Sequence, residues 1–350
     1  MTHKAIIPPD AKRIVIIMPS WVGDVVMATP VCRALRERCP EAQITAIVRP
    51  GLELLLNGLP SLDHIAPGDH GGVTGPWRIG RLIRSSRPEI ALLLPNSFRS
   101  ALAARLGGAP VRIGFRRDGR GFLLSDPLDP PPRDRQPVPT RDEYLHLTAR
   151  ALGIESVDPA LELAVTDEER TEADRLLAGA AERIIVINPG ANKSAKCWPP
   201  ESFAELADTL RKEPNVTIAF NGAPREAELI ARIRALMAHG DGAIDLAQRG
   251  VTLGSLKAVI DRAALLITND TGPRHIAAAL GTPLVTLFGP TDPRWTHLPE
   301  VDEAILRAEP FLPEDRIADD HAPICRIDRI SVGDVVHAAR RELNGKNDPR

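Results

Sequence analysis

The chain has 350 residues, 43% hydrophobic and 26% charged, enough for two domains of roughly 150–170 residues and without the low-complexity tracts or charge runs of a disordered protein. A formal net charge of −2 gives no global attraction to nucleic acid. No apolar run approaches the ~18–20 residues of a membrane span, and residues 1–10 lack the apolar centre of a signal peptide, so a cytoplasmic protein is expected.

Residues 13–18, Arg-Ile-Val-Ile-Ile-Met, read as a strand buried on both faces of a parallel sheet. A helix over 25–38 and a strand over 44–48 complete a βαβ unit. The alternation continues with helix 77–86, strand 90–94, helix 99–106 and strand 111–114, the pattern of a doubly wound sheet. Prolines and charges over 126–139 predict a surface excursion without regular structure, and a helix over 141–152 follows. After a crossover at 155–168 and a helix over 168–177, the layout repeats: strand 184–188, helix 201–211, strand 216–220, helix 224–238, helix 253–262, strand 264–268, helix 272–280 and strand 284–288. An amphipathic helix over 331–343 is expected to pack back across the first domain. The predicted organisation is an N-terminal domain over 1–165, a C-terminal domain over 166–325 and a returning helix within 326–350. Cys32, Cys39, Cys197 and Cys325 have neither C-x-x-C nor finger spacing and read as reduced thiols.

Three loops carry candidate chemistry, each at the carboxyl end of a predicted strand, where open α/β sheets bind ligands. In Pro19-Ser20-Trp21-Val22-Gly23-Asp24, the glycine lets a ligand approach the backbone. Asp24 suits either the positive end of a helix or the work of a general base. In Asn188-Pro189-Gly190-Ala191-Asn192-Lys193-Ser194-Ala195-Lys196-Cys197-Trp198, Lys193 or Lys196 is placed to meet phosphate oxygens, and Trp198 and Pro199 are expected to be structural. In Thr268-Asn269-Asp270-Thr271-Gly272-Pro273-Arg274-His275, a helix opens whose free N–H groups suit a diphosphate, with Asp270 or Thr271 as its cap. Glu226, in a strand-to-helix turn, is either a ribose-binding carboxylate or a first-turn glutamate. No Gly-x-Gly-x-x-Gly, P-loop or Gly-x-Ser-x-Gly stands at a matching position, which removes support for dinucleotide oxidoreductases, P-loop enzymes and serine hydrolases.

Together these segments resemble glycosyltransferase family 9, the ADP-heptose:lipopolysaccharide heptosyltransferases, over nearly the whole chain. The resemblance rests on Pro-Ser-Trp-Val-Gly-Asp at 19–24, Leu-Pro-Asn-Ser-Phe-Arg-Ser-Ala at 94–101, Pro-Gly-Ala at 189–191, Ala-Lys-Cys-Trp-Pro at 195–199 and Thr-Asn-Asp-Thr-Gly-Pro-Arg-His-Ile-Ala-Ala-Ala at 268–279. Ser-Trp-Val-Gly-Asp and Pro-Asn-Ser-Phe favour the heptosyltransferase II branch. The resemblance implies a GT-B fold, an α/β architecture of two Rossmann-like doubly wound parallel-sheet domains facing a central cleft. It also implies an inverting, metal-independent transfer without a cofactor, from ADP-L-glycero-D-manno-heptose to the heptosyl-Kdo inner core of lipopolysaccharide at the cytoplasmic membrane face.

Carried over position by position, Asp24 matches the family's proposed base, and Lys196, Glu226, Asp270, Thr271, Gly272 and His275 match its donor site. Ser20, Trp21, Gly23, Asn96, Arg116 and Arg120 fall on the acceptor side. Arg274 departs from the family's more usual apolar residue, and reads as an added phosphate contact or a surface cation. A GT-B transferase with another donor or acceptor, a nucleotide-sugar epimerase, and a non-catalytic nucleotide-sugar binder share these motifs; transfer between defined donor and acceptor separates them.

Overall fold

A computed structural model describes residues 4–132, 137–309, 311–313 and 315–345. The chain divides after Ala164 into two compact units.

In the first unit the elements run β1 (Arg13–Ile17), α1 (Val22–Met27), α2 (Thr29–Arg38), β2 (Gln43–Val48), α3 (Glu53–Leu56), β3 (His64–Pro67), α4 (Gly75–Ser85), β4 (Ile90–Leu93), α5 (Phe98–Leu106), β5 (Val111–Phe115), β6 (Asp126–Leu128) and α6 (Thr140–Leu152). All six strands are parallel, in the order β3-β2-β1-β4-β5-β6. β1 and β4 are apolar because both faces are covered, by α2 and α6 on one side and by α4 and α5 on the other. The helix expected over 25–38 is two helices. Pro30 enters at the second position of α2, where it has no N–H to give to the preceding turn, and the Thr29 hydroxyl donates to Val26 O at 2.8 Å across the break. The excursion expected over 126–139 begins with the edge strand β6; residues 133–136 of it lie outside the described residues.

In the second unit they run α7 (Asp167–Leu176), β7 (Arg183–Asn188), α8 (Pro200–Leu210), β8 (Val216–Phe220), α9 (Ala227–Leu236), β9 (Ile244–Asp245), α10 (Leu253–Arg262), β10 (Leu265–Asn269), α11 (Gly272–Leu280), β11 (Leu284–Phe288), β12 (Glu303–Arg307) and α12 (Val332–Gly345). A capping box of Thr166 and Glu169 starts α7. The sheet order is β12-β11-β10-β7-β8-β9, the order of the first sheet with each strand replaced by its counterpart six places on. Trp198 is fully buried, stacks edge-on to Phe203 and donates from Nε1 to Ile330 O at 3.1 Å. That bond fixes the segment leading into α12. α12 buries Val335, Ala338, Ala339 and Leu343 in the same apolar cluster as Ile185, Phe220 and Val285. Its apolar face is therefore occupied in the second unit's own core. Among the described residues no helix is long and apolar enough to cross a membrane.

Candidate functional site

In each sheet the order reverses beside the first strand, because one crossover leads left from it and a later one leads right. The loops leaving the two strands at that switch point diverge and open a crevice. In the first unit these are the loops after β1 and β4, and the residues they carry are Ser20, Trp21, Gly23 and Asp24, and Asn96. Ser20 and Trp21 are exposed, and Gly23 and Asp24 are half-buried in the first turn of α1. The Asp24 carboxylate has no hydrogen bond or ion pair among the described residues. Burial pushes its pKa up to about 6. A six-residue helix with no side-chain cap does not offset that desolvation.

Arg116 and Arg120 separate. Arg116 is exposed and lies 3.8 Å from Asp129. Arg120 is fully buried, its guanidinium taken up by the end of β5 and the loop after β4. It donates from Nε to Phe115 O at 3.0 Å, from Nη1 to Ser100 Oγ at 3.0 Å and to Pro95 O, and from Nη2 to Asn96 Oδ1 at 3.2 Å. Burial lowers its pKa to about 10, which leaves it charged at neutral pH. Arg120 thereby orients Asn96 at the crevice.

In the second unit the switch point lies between β7 and β10, and polar residues end both otherwise apolar strands. Asn188 Nδ2 donates to Thr268 Oγ1 at 3.3 Å and Thr271 Oγ1 at 3.2 Å, while its Oδ1 accepts from Asn221 Nδ2 at 2.7 Å. Asn269 Nδ2 donates to Pro189 O at 2.8 Å. These buried amides tie the loops after β7, β8 and β10 into one frame. Thr268 stands in the third motif without an assigned role and Asn221 in none; a polar side chain closing a buried strand is the signal that marks them.

Gly190 lies directly under the Glu226 carboxylate, where any Cβ would overlap it. Glu226 Oε2 accepts from Ala223 N at 2.8 Å. Lys196, mostly buried, donates from Nζ to Asp270 Oδ2 at 3.1 Å, whereas Lys193 is exposed. Burial opposes ionisation of Asp270, but Lys196 and then Arg274 outweigh it and hold the carboxyl below its usual range. Arg274 is neither a phosphate contact nor a surface cation. It is fully buried and makes a two-pronged bond to Glu303, Nε to Oε1 at 2.7 Å and Nη2 to Oε2 at 2.8 Å. Glu303 lies in β12, a strand absent from the sequence reading.

The expected capping of α11 by Asp270 or Thr271 does not occur: Thr271 occupies the cap position but no side chain bonds the helix start. Its hydroxyl is engaged with Asn188 and Thr268, and Asp270 with Lys196. The positive end of a nine-residue helix is left without an acidic cap. His275 is buried; burial, then Arg274, lowers its pKa to about 3, so the imidazole is neutral, and its Nδ1 has no partner among the described residues.

Residues 76–318 match the family model "Glycosyltransferase family 9 (heptosyltransferase)". The chain belongs to glycosyltransferase family 9. It is 33% identical over 303 residues to lipopolysaccharide heptosyltransferase 2 of Escherichia coli K12, covering 81% of this chain and 84% of that one. It is 30% identical over 312 residues to lipooligosaccharide heptosyltransferase 2 of Haemophilus ducreyi, covering 84% and 88%. Among solved structures, the Escherichia coli ADP-heptose lipopolysaccharide heptosyltransferase II superposes with a TM-score of 0.80 at 27% identity, covering 96% of this chain and 100% of that one. A family 9 glycosyltransferase from Veillonella parvula superposes at 0.83 with 22% identity, covering 97% and 99%, a likeness of fold. This family 9 chain is a glycosyltransferase with the GT-B type of sheet pair.

Proposed function

We propose that this chain transfers heptose, with inversion, from ADP-L-glycero-D-manno-heptose to the heptosyl-Kdo inner core of lipopolysaccharide. The donor and acceptor rest on the 33% identity to lipopolysaccharide heptosyltransferase 2, and the observation that carries the mechanism is the Asp24 carboxylate at the β1–β4 switch point, half-buried, without a cation among the described residues and with its pKa pushed up by burial to about 6. A base so poised is ionised at neutral pH yet basic enough to accept a hydroxyl proton. As the acceptor oxygen bonds to the anomeric carbon, Asp24 takes its proton, and the bond from that carbon to the β-phosphate oxygen breaks. ADP leaves with the electron pair. In the second unit the uncapped start of α11 at Thr271 and Gly272, with Lys196, receives the developing charge, and Glu226 accepts from the ribose hydroxyls. Asp270 and His275 act behind them, one orienting Lys196 and the other staying neutral. Ser20, Trp21, Gly23 and Asn96 form the acceptor side, with Arg116 at its margin.

Incubation with ADP-heptose and a heptosyl-Kdo acceptor, read by mass spectrometry, should add one heptose. Transfer from a different nucleotide sugar only would overturn the donor assignment. Donor contacts have a separate test. Gly190→Ala forces Glu226 from its place, and removing a hydrogen bond to a charged group should raise the donor KM about tenfold to a hundredfold with a smaller change in kcat. An unchanged donor KM would detach Glu226 from the ribose.

A further inference from the structure

The first unit carries its charge unevenly. Residues 70–117 hold nine arginines, no lysine and one carboxylate, Glu89, a local net charge of +8 in a chain whose total is −2. Glu89 is already paired with Arg13 at 2.9 Å. Three of the arginines meet carboxylates from outside the segment: Arg78 with Asp69 at 2.8 Å, Arg117 with Glu143 at 2.9 Å and Arg116 with Asp129 at 3.8 Å. Arg81, Arg87 and Arg105 have no side-chain acceptor among the described residues.

The placement is as uneven as the charge. α4 and α5 pack side by side, Gly80 lying against Ala103 and Leu106. α4 contains no acidic residue; it buries Ile79 and Ile83 and turns Trp77, Arg78, Arg81 and Arg84 to solvent. α5 does the same with Phe98, Arg99 and Arg105. Where the strands end, large apolar side chains stand exposed: Val73 at 83%, Trp77 at 55% and Phe122 at 74%. The Phe98 and Phe122 rings lie 6.1 Å apart. Arg99 donates to His70 O at 2.7 Å and to Gly72 O, which fixes the turn before Val73 against the start of α5.

Arginines interspersed with outward Trp, Phe and Val are the composition of a surface that lies at a lipid–water boundary, where phosphates meet the cations and the rings leave water. We propose that the α4–α5 face of the first unit docks on an anionic bilayer surface. The choice of bilayer over another polyanion rests on the proposed acceptor, a glycan on a lipid anchor. Docking holds this unit at the surface from which the acceptor projects.

The test is flotation of the full chain with vesicles of phosphatidylcholine alone and of equal parts phosphatidylcholine and phosphatidylglycerol. Each arginine at such a surface contributes on the order of fivefold in affinity. The wild type should float with the anionic vesicles only. Arg81→Glu/Arg105→Glu should lose at least tenfold, as should Trp77→Ser/Phe122→Ser, with thermal melting unchanged in both. Transfer to a de-acylated, water-soluble acceptor should be unaffected in these variants, and transfer to a vesicle-embedded acceptor should fall. Equal partition into both vesicle types, undiminished flotation of both variants, or tighter retention of a single-stranded RNA than of anionic vesicles would overturn the proposal. Flotation as expected by a wild type that transfers heptose to neither acceptor supports docking and refutes the proposed function, so the two fail separately.

Discussion

Asp24→Asn should lower heptosyl transfer by about 10²–10⁴, the usual contribution of a general base, while ADP-heptose binding is retained. The same variant should be more stable than the wild type near neutral pH. Burial raises the Asp24 pKa from the 3.8 of a free aspartate to about 6, so between those values the folded chain keeps a proton that the unfolded chain has released. Stability therefore falls as pH rises through that window, and above it the buried charge costs about 3 kcal/mol. Asparagine carries no such charge, and a gain of roughly 1–3 kcal/mol is expected, read as a higher Tm near pH 7 that vanishes below about pH 4. In the wild type, kcat/KM should rise with pH up to about 6 and then level. Unchanged turnover in Asp24→Asn would remove this residue from the mechanism, and a lower Tm would show that the carboxylate is not desolvated.

A second large effect is expected at Arg274. Its guanidinium lies 4.9 Å from the Phe288 ring centroid, donates from Nη1 to Thr296 Oγ1 at 2.7 Å, and neutralises Glu303, whose side chain is 2% exposed. Thr286 donates to the same carboxylate. Arg274→Met leaves that charge buried without a cation, which should destabilise the chain by about 3–5 kcal/mol in urea unfolding. Arg274→Met/Glu303→Leu should recover most of the loss, since a buried ion pair adds little over apolar residues of similar size. Equal losses in the single and double variants would mean that Arg274 acts through packing alone.

The contrast between these two residues shows what was legible beforehand. Asp24 follows a strand of continuous apolar residues, so its position at a sheet's carboxyl edge could be read directly, as could that of Asp270. The pairing of Arg274 could not, because its partner sits in β12. That strand, like β3, β6 and β9, lies at or next to a sheet margin and is short and mixed in sequence: Glu-Ala-Ile-Leu-Arg, His-Ile-Ala-Pro, Asp-Pro-Leu and Ile-Asp. With fewer neighbours to cover it, such a strand need not be apolar throughout, and the periodic signal fails. Arg120 shows the same limit in a side chain. A run of arginines reads as a basic surface, yet the carbonyls of Phe115 and Pro95 draw this one inside. The α11 cap escapes the sequence for a related reason: Thr271 has the right type and place, but its hydroxyl oxygen accepts from Asn188 on another strand.

Because α12 completes the second sheet's own core, the polypeptide passes from one unit to the other only once, at Ala164–Val165. A single recombination there would carry β7 to β12, their loops and the last helix as one heritable module. A chimera joined at that one seam would keep each unit's apolar cluster whole on its own side of it.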